Sequence, residues 1–287
     1  MFGLNLNKKS GFTLAEIMVT LGLIGAISAL TIPTLAYNYR SKVLEEQFRS
    51  TYSDIKQIGA MLNYQKGDVG EFALNSNFFT WQSEFISMLN GGNNMLSTPG
   101  HANITNELRR IYREGGGSPG PYTFNLDGGK LRPTGIHCDN GAIWNDSKGR
   151  LWTFNSENRI ICVDINGSGN PNRFNIDIFA FIPMNAQQVA AYVYNDQDNA
   201  NNYSGAIVLC DIDKIHRKGL SNNIPERDEN KKYNPSKDNP KTALDTCPFN
   251  YPIENIAPTN GVEAGKSAKG KNVTNSDTYW KKYIEYK

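Results

Sequence analysis

Glu16 is the only charged residue between Phe12 and Ala36. An ionised carboxylate costs about 2–3 kcal/mol at the centre of a membrane helix and less toward its end. Two chemistries suit it there. It can snorkel to the interface, favoured by the positive end of a helix dipole, or it can hold a cation supplied from elsewhere. A second candidate for chemistry is Asp164-Ile165-Asn166-Gly167-Ser168-Gly169-Asn170, which places oxygen side chains at alternate positions around glycines. Hard oxygen donors in that spacing open a calcium loop. The acid that should close the loop is missing, because Asn175 stands at that position, and Asp177 is the substitute. The candidate ligands are therefore Asp164, Asn166, Ser168, Asn170 and Asp177. The competing reading is a turn in which Asp and Asn bond nearby backbone.

Cys138, Cys162, Cys210 and Cys247 are widely spaced and form no C-x-x-C. Three disulfide pairings are possible. Joining sequence neighbours favours Cys138–Cys162 and Cys210–Cys247, provided the head lies outside the reducing cytoplasm. A zinc site is disfavoured, since only His137 adjoins a cysteine. Nothing resembles an enzyme centre. His101, His137 and His216 fall in no zincin, triad or kinase pattern. Gly115-Gly116-Gly117 leads to no Lys-Ser/Thr pair, so it makes no phosphate loop. Asn103-Ile104-Thr105 is a bare glycosylation sequon. The net charge of +2 gives no electrostatic case for nucleic acid.

The element that must position Glu16 is the run behind it. Ile17 to Ala36 holds no charge and would rise about 30 Å as a helix, the thickness of a bilayer core. Gly22 and Gly25 weaken such a helix less in lipid than in water. Pro33 should kink it, and the freed Ala29 carbonyl then wants a neighbouring helix or the membrane edge. Beyond Tyr37, Leu44, Phe48, Tyr52, Ile55, Ile58 and Leu62 recur three or four apart among charged residues. That stripe predicts an amphipathic continuation ending at Lys66-Gly67, with a short coiled coil as the weaker alternative.

Gly11-Phe12-Thr13-Leu14-Ala15-Glu16, following Lys8 and Lys9, resembles the cleavage and methylation motif of type IV prepilins and pseudopilins. The resemblance covers residues 8 to about 66, Pro33 included. It implies cleavage after Gly11 by a prepilin peptidase, N-methylation of Phe12, and pairing of Glu16 with the terminal amine of an adjacent subunit. It also implies pilin or pseudopilin subunits and an inner-membrane assembly platform as partners. The expected location is the inner membrane, single-pass, with the head outside, followed by a filament. Lys8 and Lys9 fit a cytoplasmic N-terminus, although Arg40 and Lys42 on the far flank blur the charge rule. The stretch Asp164, Asn166, Gly167, Pro171, Asn172, Asp177, Phe179 also resembles a layout of pilin-like heads, some of which bind calcium nearby. The competing reading of the N-terminus is a signal peptide cut before Tyr37, giving an exported binding protein that never polymerises.

Downstream, Phe78–Leu89 reads as a short helix with Phe79, Phe85 and Leu89 on one side. Short strands are expected at 122–126, 142–145, 151–154, 159–163, 176–182, 189–194 and 206–210, broken by turn signals such as Asp127-Gly128-Gly129 and Asp146-Ser147-Lys148-Gly149. Trp144 and Trp152 read as core or sheet-face residues. From Asp211 to Lys241 the chain is polar and reads as a surface loop, while Trp280, Tyr283, Ile284 and Tyr286 either dock back or stay free. The expected fold is α+β, with a long helix packed on an antiparallel meander. Its segments are 1–11 leader, 12–36 apolar helix, 37–66 amphipathic helix, 67–210 head and 211–287 polar region.

Overall fold

The computed structural model describes residues 12–89, 91–95, 104, 106–108, 110–111, 123–124, 130–131, 138, 140–156, 159–220, 227, 229–236, 239–258, 274 and 276–284. The leader with Gly11, the glycine loop at 115–117, the turn at 127–129, His101, His137 and Tyr286 lie outside the described residues, as do Asn103 and Thr105 of the sequon.

Helix α1, Leu14–Lys66, is a single 53-residue element, about 80 Å long at helical rise. Thr13 caps its start, and Gly67 ends it at φ 84°, a conformation glycine adopts without a Cβ clash. It runs through Pro33 without a break. Its second half buries Ser41, Leu44, Phe48, Thr51, Ile55, Ile58, Gly59 and Leu62, with Tyr52 half-buried, so the amphipathic stripe is the face that meets the head. Two short helices follow, α2 (Val69–Asn75), capped by Asp68, and α3 (Phe78–Ser87), capped by Asn77. α2 crosses the end of the sheet at Gly70. A Cβ there would sit 2.0 Å from the Asn185 nitrogen, so no larger residue fits.

Strands β1 (Asn93–Asn94), β4 (Asn140–Asn145), β5 (Leu151–Phe154), β6 (Ile161–Asp164), β7 (Ile178–Met184) and β8 (Ala206–Cys210) form one six-stranded sheet in the order β1-β4-β5-β6-β7-β8. Every pair is antiparallel. A separate two-stranded piece pairs β2 (Thr123–Phe124) with β3 (Lys130–Leu131). The fold is therefore α+β, a meander on a long N-terminal helix.

Both sheet faces are buried, and alternation sorts the side chains between them. Trp152, Phe154, Ile161, Val163, Phe179, Phe181, Ile207 and Leu209 face the core shared with α1 and α3. Leu151, Cys162, Ile178, Ala180, Ile182, Val208 and Cys210 face a second core on the opposite side. That second face is covered by Val189, Ala191 and Tyr192, by Ile212 and Ile215 of a helix at Ile212–Lys218, and by Tyr233, Ala243 and Leu244.

Three local expectations are corrected. Val189–Tyr194 is a wide helical turn, not a strand. Phe79 is 61% exposed, and Phe78, Trp81 and Phe85 are the inward residues of α3. The polar stretch after Asp211 is not merely a surface loop, because it buries Ile212, Ile215, Leu220 and Tyr233. The disulfides are Cys138–Cys162 and Cys210–Cys247. Each has one sulfur on a strand face turned away from α1: Cys210–Cys247 staples the outer cover to β8, and Cys138–Cys162 ties the chain just before β4 to β6. Among the described residues no cysteine is free.

The C-terminal segment docks. Tyr279, Trp280, Tyr283 and Ile284 are buried in the core between α1 and the sheet. Trp280 packs on Phe48 at 5.2 Å and on Phe179 at 6.1 Å between ring centres, and its indole donates to the Pro252 carbonyl at 2.9 Å. Ser41 and Tyr37 of α1 donate to the carbonyls of Trp280 and Lys281.

Candidate functional site

The first site is the start of α1. Thr13 has extended backbone, and its hydroxyl accepts the Glu16 N–H at 3.2 Å. Glu16 returns the bond, accepting the Thr13 N–H at 2.8 Å and the Thr13 hydroxyl at 2.9 Å through Oε2. This reciprocal cap satisfies two helix-end donors and aims the carboxylate back along the axis toward Phe12. One oxygen, Oε2, takes both of those bonds. Phe12 is 85% exposed.

Behind that cap no residue from 12 to 36 is buried. Leu14, Met18, Leu21, Leu23, Ile24, Leu30, Ile32 and Leu35 all stand open. Leaving them in water costs on the order of tens of kcal/mol, at about 1.5–3 kcal/mol for each large side chain. Thr20 and Thr31 turn their hydroxyls back onto the carbonyls of Glu16 and Ile27, both at 2.9 Å, which hides their polarity within the helix. The helix is long and apolar enough to cross a membrane.

The second site is the oxygen-rich loop between β6 and β7. It does not gather all its predicted ligands around one point of free oxygens. Asp177 is fully buried and spends its carboxylate on the loop itself. Oδ2 accepts the Asn172 N–H at 2.7 Å and Oδ1 accepts the Arg173 N–H at 2.6 Å. Burial pushes its carboxyl up to about 7, opposed by those two N–H groups. Asp164 accepts the Asn166 N–H at 3.3 Å. The Asn166 amide donates to the Asn170 carbonyl at 3.1 Å, and the Asn172 amide to the Ser168 carbonyl at 3.4 Å. Ser168 and Asn170 thus take part through backbone oxygen. Two oxygens fit a cation better: Asn166 Oδ1 and Asn172 Oδ1 are buried without a hydrogen-bond partner. Among the described residues no group of three or more His, Cys, Asp or Glu is placed to hold a metal ion. A metal here would therefore rely on amide oxygen beside Asp164.

The loop has a role that its sequence hid. Asn175, in left-handed backbone at φ 58°, donates to Asp211 at 2.7 Å, and its carbonyl accepts the Tyr279 hydroxyl. It joins the meander, the cap of the Ile212–Lys218 helix and the C-terminal segment. Only its Asn identity hinted at this, since Asn tolerates positive φ.

A third cluster went unnoticed in the sequence. Asp146 Oδ2 accepts from Arg150 Nε at 2.6 Å and from the Trp152 indole at 2.9 Å. Its Oδ1 accepts the N–H groups of Lys148 and Arg150 at 2.9 and 3.0 Å. Arg150 also reaches Asp54 of α1 at 2.8 Å and Thr51 at 3.2 Å, and Lys148 reaches Asp54 at 2.6 Å. The β4–β5 turn is thereby bolted to the helix by charges.

No protein-family model, curated protein or solved structure matches this chain.

Proposed function

We propose that the chain is a structural subunit of a type IV pilus or a type II secretion-type filament, a pilin or pseudopilin. A prepilin peptidase would cut after Gly11 and methylate Phe12. The observation that most supports this is the exposed, otherwise uncharged half of α1, headed by Glu16 and continuous with a half seated in the head. A segment that greasy must pass from lipid straight into a bundle of like helices, so one surface serves as both anchor and assembly face. Cleavage would put an ammonium on Phe12. A neighbour shifted by about one turn could bring its own ammonium to Glu16, and pairing two charges in a dry bundle fixes register more than it adds affinity.

The cap itself favours a second reading. Thr13 already satisfies Glu16 Oε2, so a membrane-anchored, exported binding protein that never polymerises needs no partner for it. Glu16→Val separates the two. The filament reading expects an unchanged membrane fraction and a sheared-fibre fraction that loses the subunit. A wild-type subunit present in the membrane but absent from sheared fibres would support the second reading, and equal fibre content in wild type and variant would count against the role given to Glu16. Calcium is the one cofactor we propose, held by Asp164 with the amide oxygens of Asn166 and Asn172. When bound it would supply charge that locks the β6–β7 loop.

A further inference from the structure

We propose that Arg40, Lys42 and Lys281 form a basic collar that binds the phosphates of anionic phospholipids where α1 leaves the membrane. The proposal rests on the membrane-spanning part of the reading above.

The fold assembles this collar from distant parts of the chain. α1 leaves its apolar run at Ala36, and Arg40 and Lys42 stand exposed on either side of buried Ser41. Lys281 is far away in sequence, yet its carbonyl takes the Tyr37 hydroxyl, and the neighbouring Trp280 carbonyl takes the Ser41 hydroxyl. Trp280 is buried against Phe48 and Phe179, so Lys281 is held on a packed segment while its side chain is exposed. Tyr39, 71% exposed, adds an aromatic ring at the same level of the helix.

Aromatic and basic side chains are what a headgroup layer selects. Among the described residues, carboxylates of these segments are partly committed: Glu45 pairs with Arg49 at 2.9 Å, and Asp277 accepts the Thr274 N–H at 2.8 Å. Glu46 lies a turn farther from the apolar run, and Glu254 is exposed on the turn whose Pro252 carbonyl takes the Trp280 indole. Positive charge on this flank offsets the orienting effect of Lys8 and Lys9, so orientation does not explain it. Lipid phosphate does, because the collar is continuous with a segment that must end at hydrocarbon's edge.

The test uses the full chain in nanodiscs of phosphatidylcholine containing a minor fraction of phosphatidylglycerol. Lipid retained on the chain after mild detergent extraction is identified by mass spectrometry. The wild type should retain phosphatidylglycerol above its share of the bilayer, less so at high salt. Each of Arg40→Gln, Lys42→Gln and Lys281→Gln should cut that enrichment by up to about fivefold at low salt. The same lipid ratio in the wild type and the triple variant, with the chain still integrated, would overturn the collar alone. Release of the wild type by alkaline carbonate would overturn the spanning reading, and the collar with it.

Discussion

Asp146 serves four donors with two oxygens, and its side chain is 1% exposed. Asp146→Ala would leave the buried Arg150 guanidinium with Asp54, Thr51 and the face of the Trp152 ring, and would leave the Trp152 indole without its acceptor. Breaking a buried pair from one side costs about 3 kcal/mol or more. The urea midpoint should therefore fall with little change in slope, and a loss well below 1 kcal/mol would mean the bolt is idle. The calcium site is argued at the same scale. Calcium should raise the melting temperature of the wild type but not of Asp164→Ala. No shift, or the same shift in both, discards it. Sequence pattern pointed to this loop through its Asp and Asn spacing. It could not show that Asp177 is spent on the N–H groups of Asn172 and Arg173, because that depends on how the loop folds back. Asp146, read only as a turn residue, was opaque for the same reason: its partners Thr51 and Asp54 come from another element by way of Arg150.

Among elements, periodicity served best where one face meets water. The α1 stripe stood where its pattern placed it, and the β4–β5 hairpin, whose β5 is buried on both faces, where its Asp146-Ser147-Lys148-Gly149 turn signal placed it. Val189–Tyr194 did not, because its β-branched and aromatic residues pack into the second core and no polar face marks the helical period. The C-terminal segment was undecided from sequence, since docking depends on a slot built by Phe48, Phe179 and Ser41. Trp280→Ala should cost about 3–5 kcal/mol by leaving that slot empty, read as a lower melting temperature. It should also detach residues 276–284, read as faster amide exchange there. Cys210→Ser with Cys247→Ser removes a cross-link over a sequence separation of 37, worth about 3–4 kcal/mol in the chain-entropy account. Because that bond staples the outer cover, exchange should rise first in the Ile212–Lys218 helix and in the segment around Tyr233. Uniform loss across β5 to β7 would contradict that placement.

At the scale of the whole molecule, the chain divides into a stem half that buries nothing of its own and a head clamped on the other half. The clamp uses the α1 stripe, the Asp54–Arg150–Asp146 charges and the C-terminal segment. Such a division makes sense if the bare half is covered first by lipid and later by its like. That account requires the amine of Phe12 to be released for Glu16. The most direct measurement is mass spectrometry of the N-terminal peptide of the chain purified from its native membrane. The account predicts a chain that begins at Phe12 and carries an N-methyl group. A chain that keeps Met1 through Gly11, or one that begins at Tyr37, would contradict it.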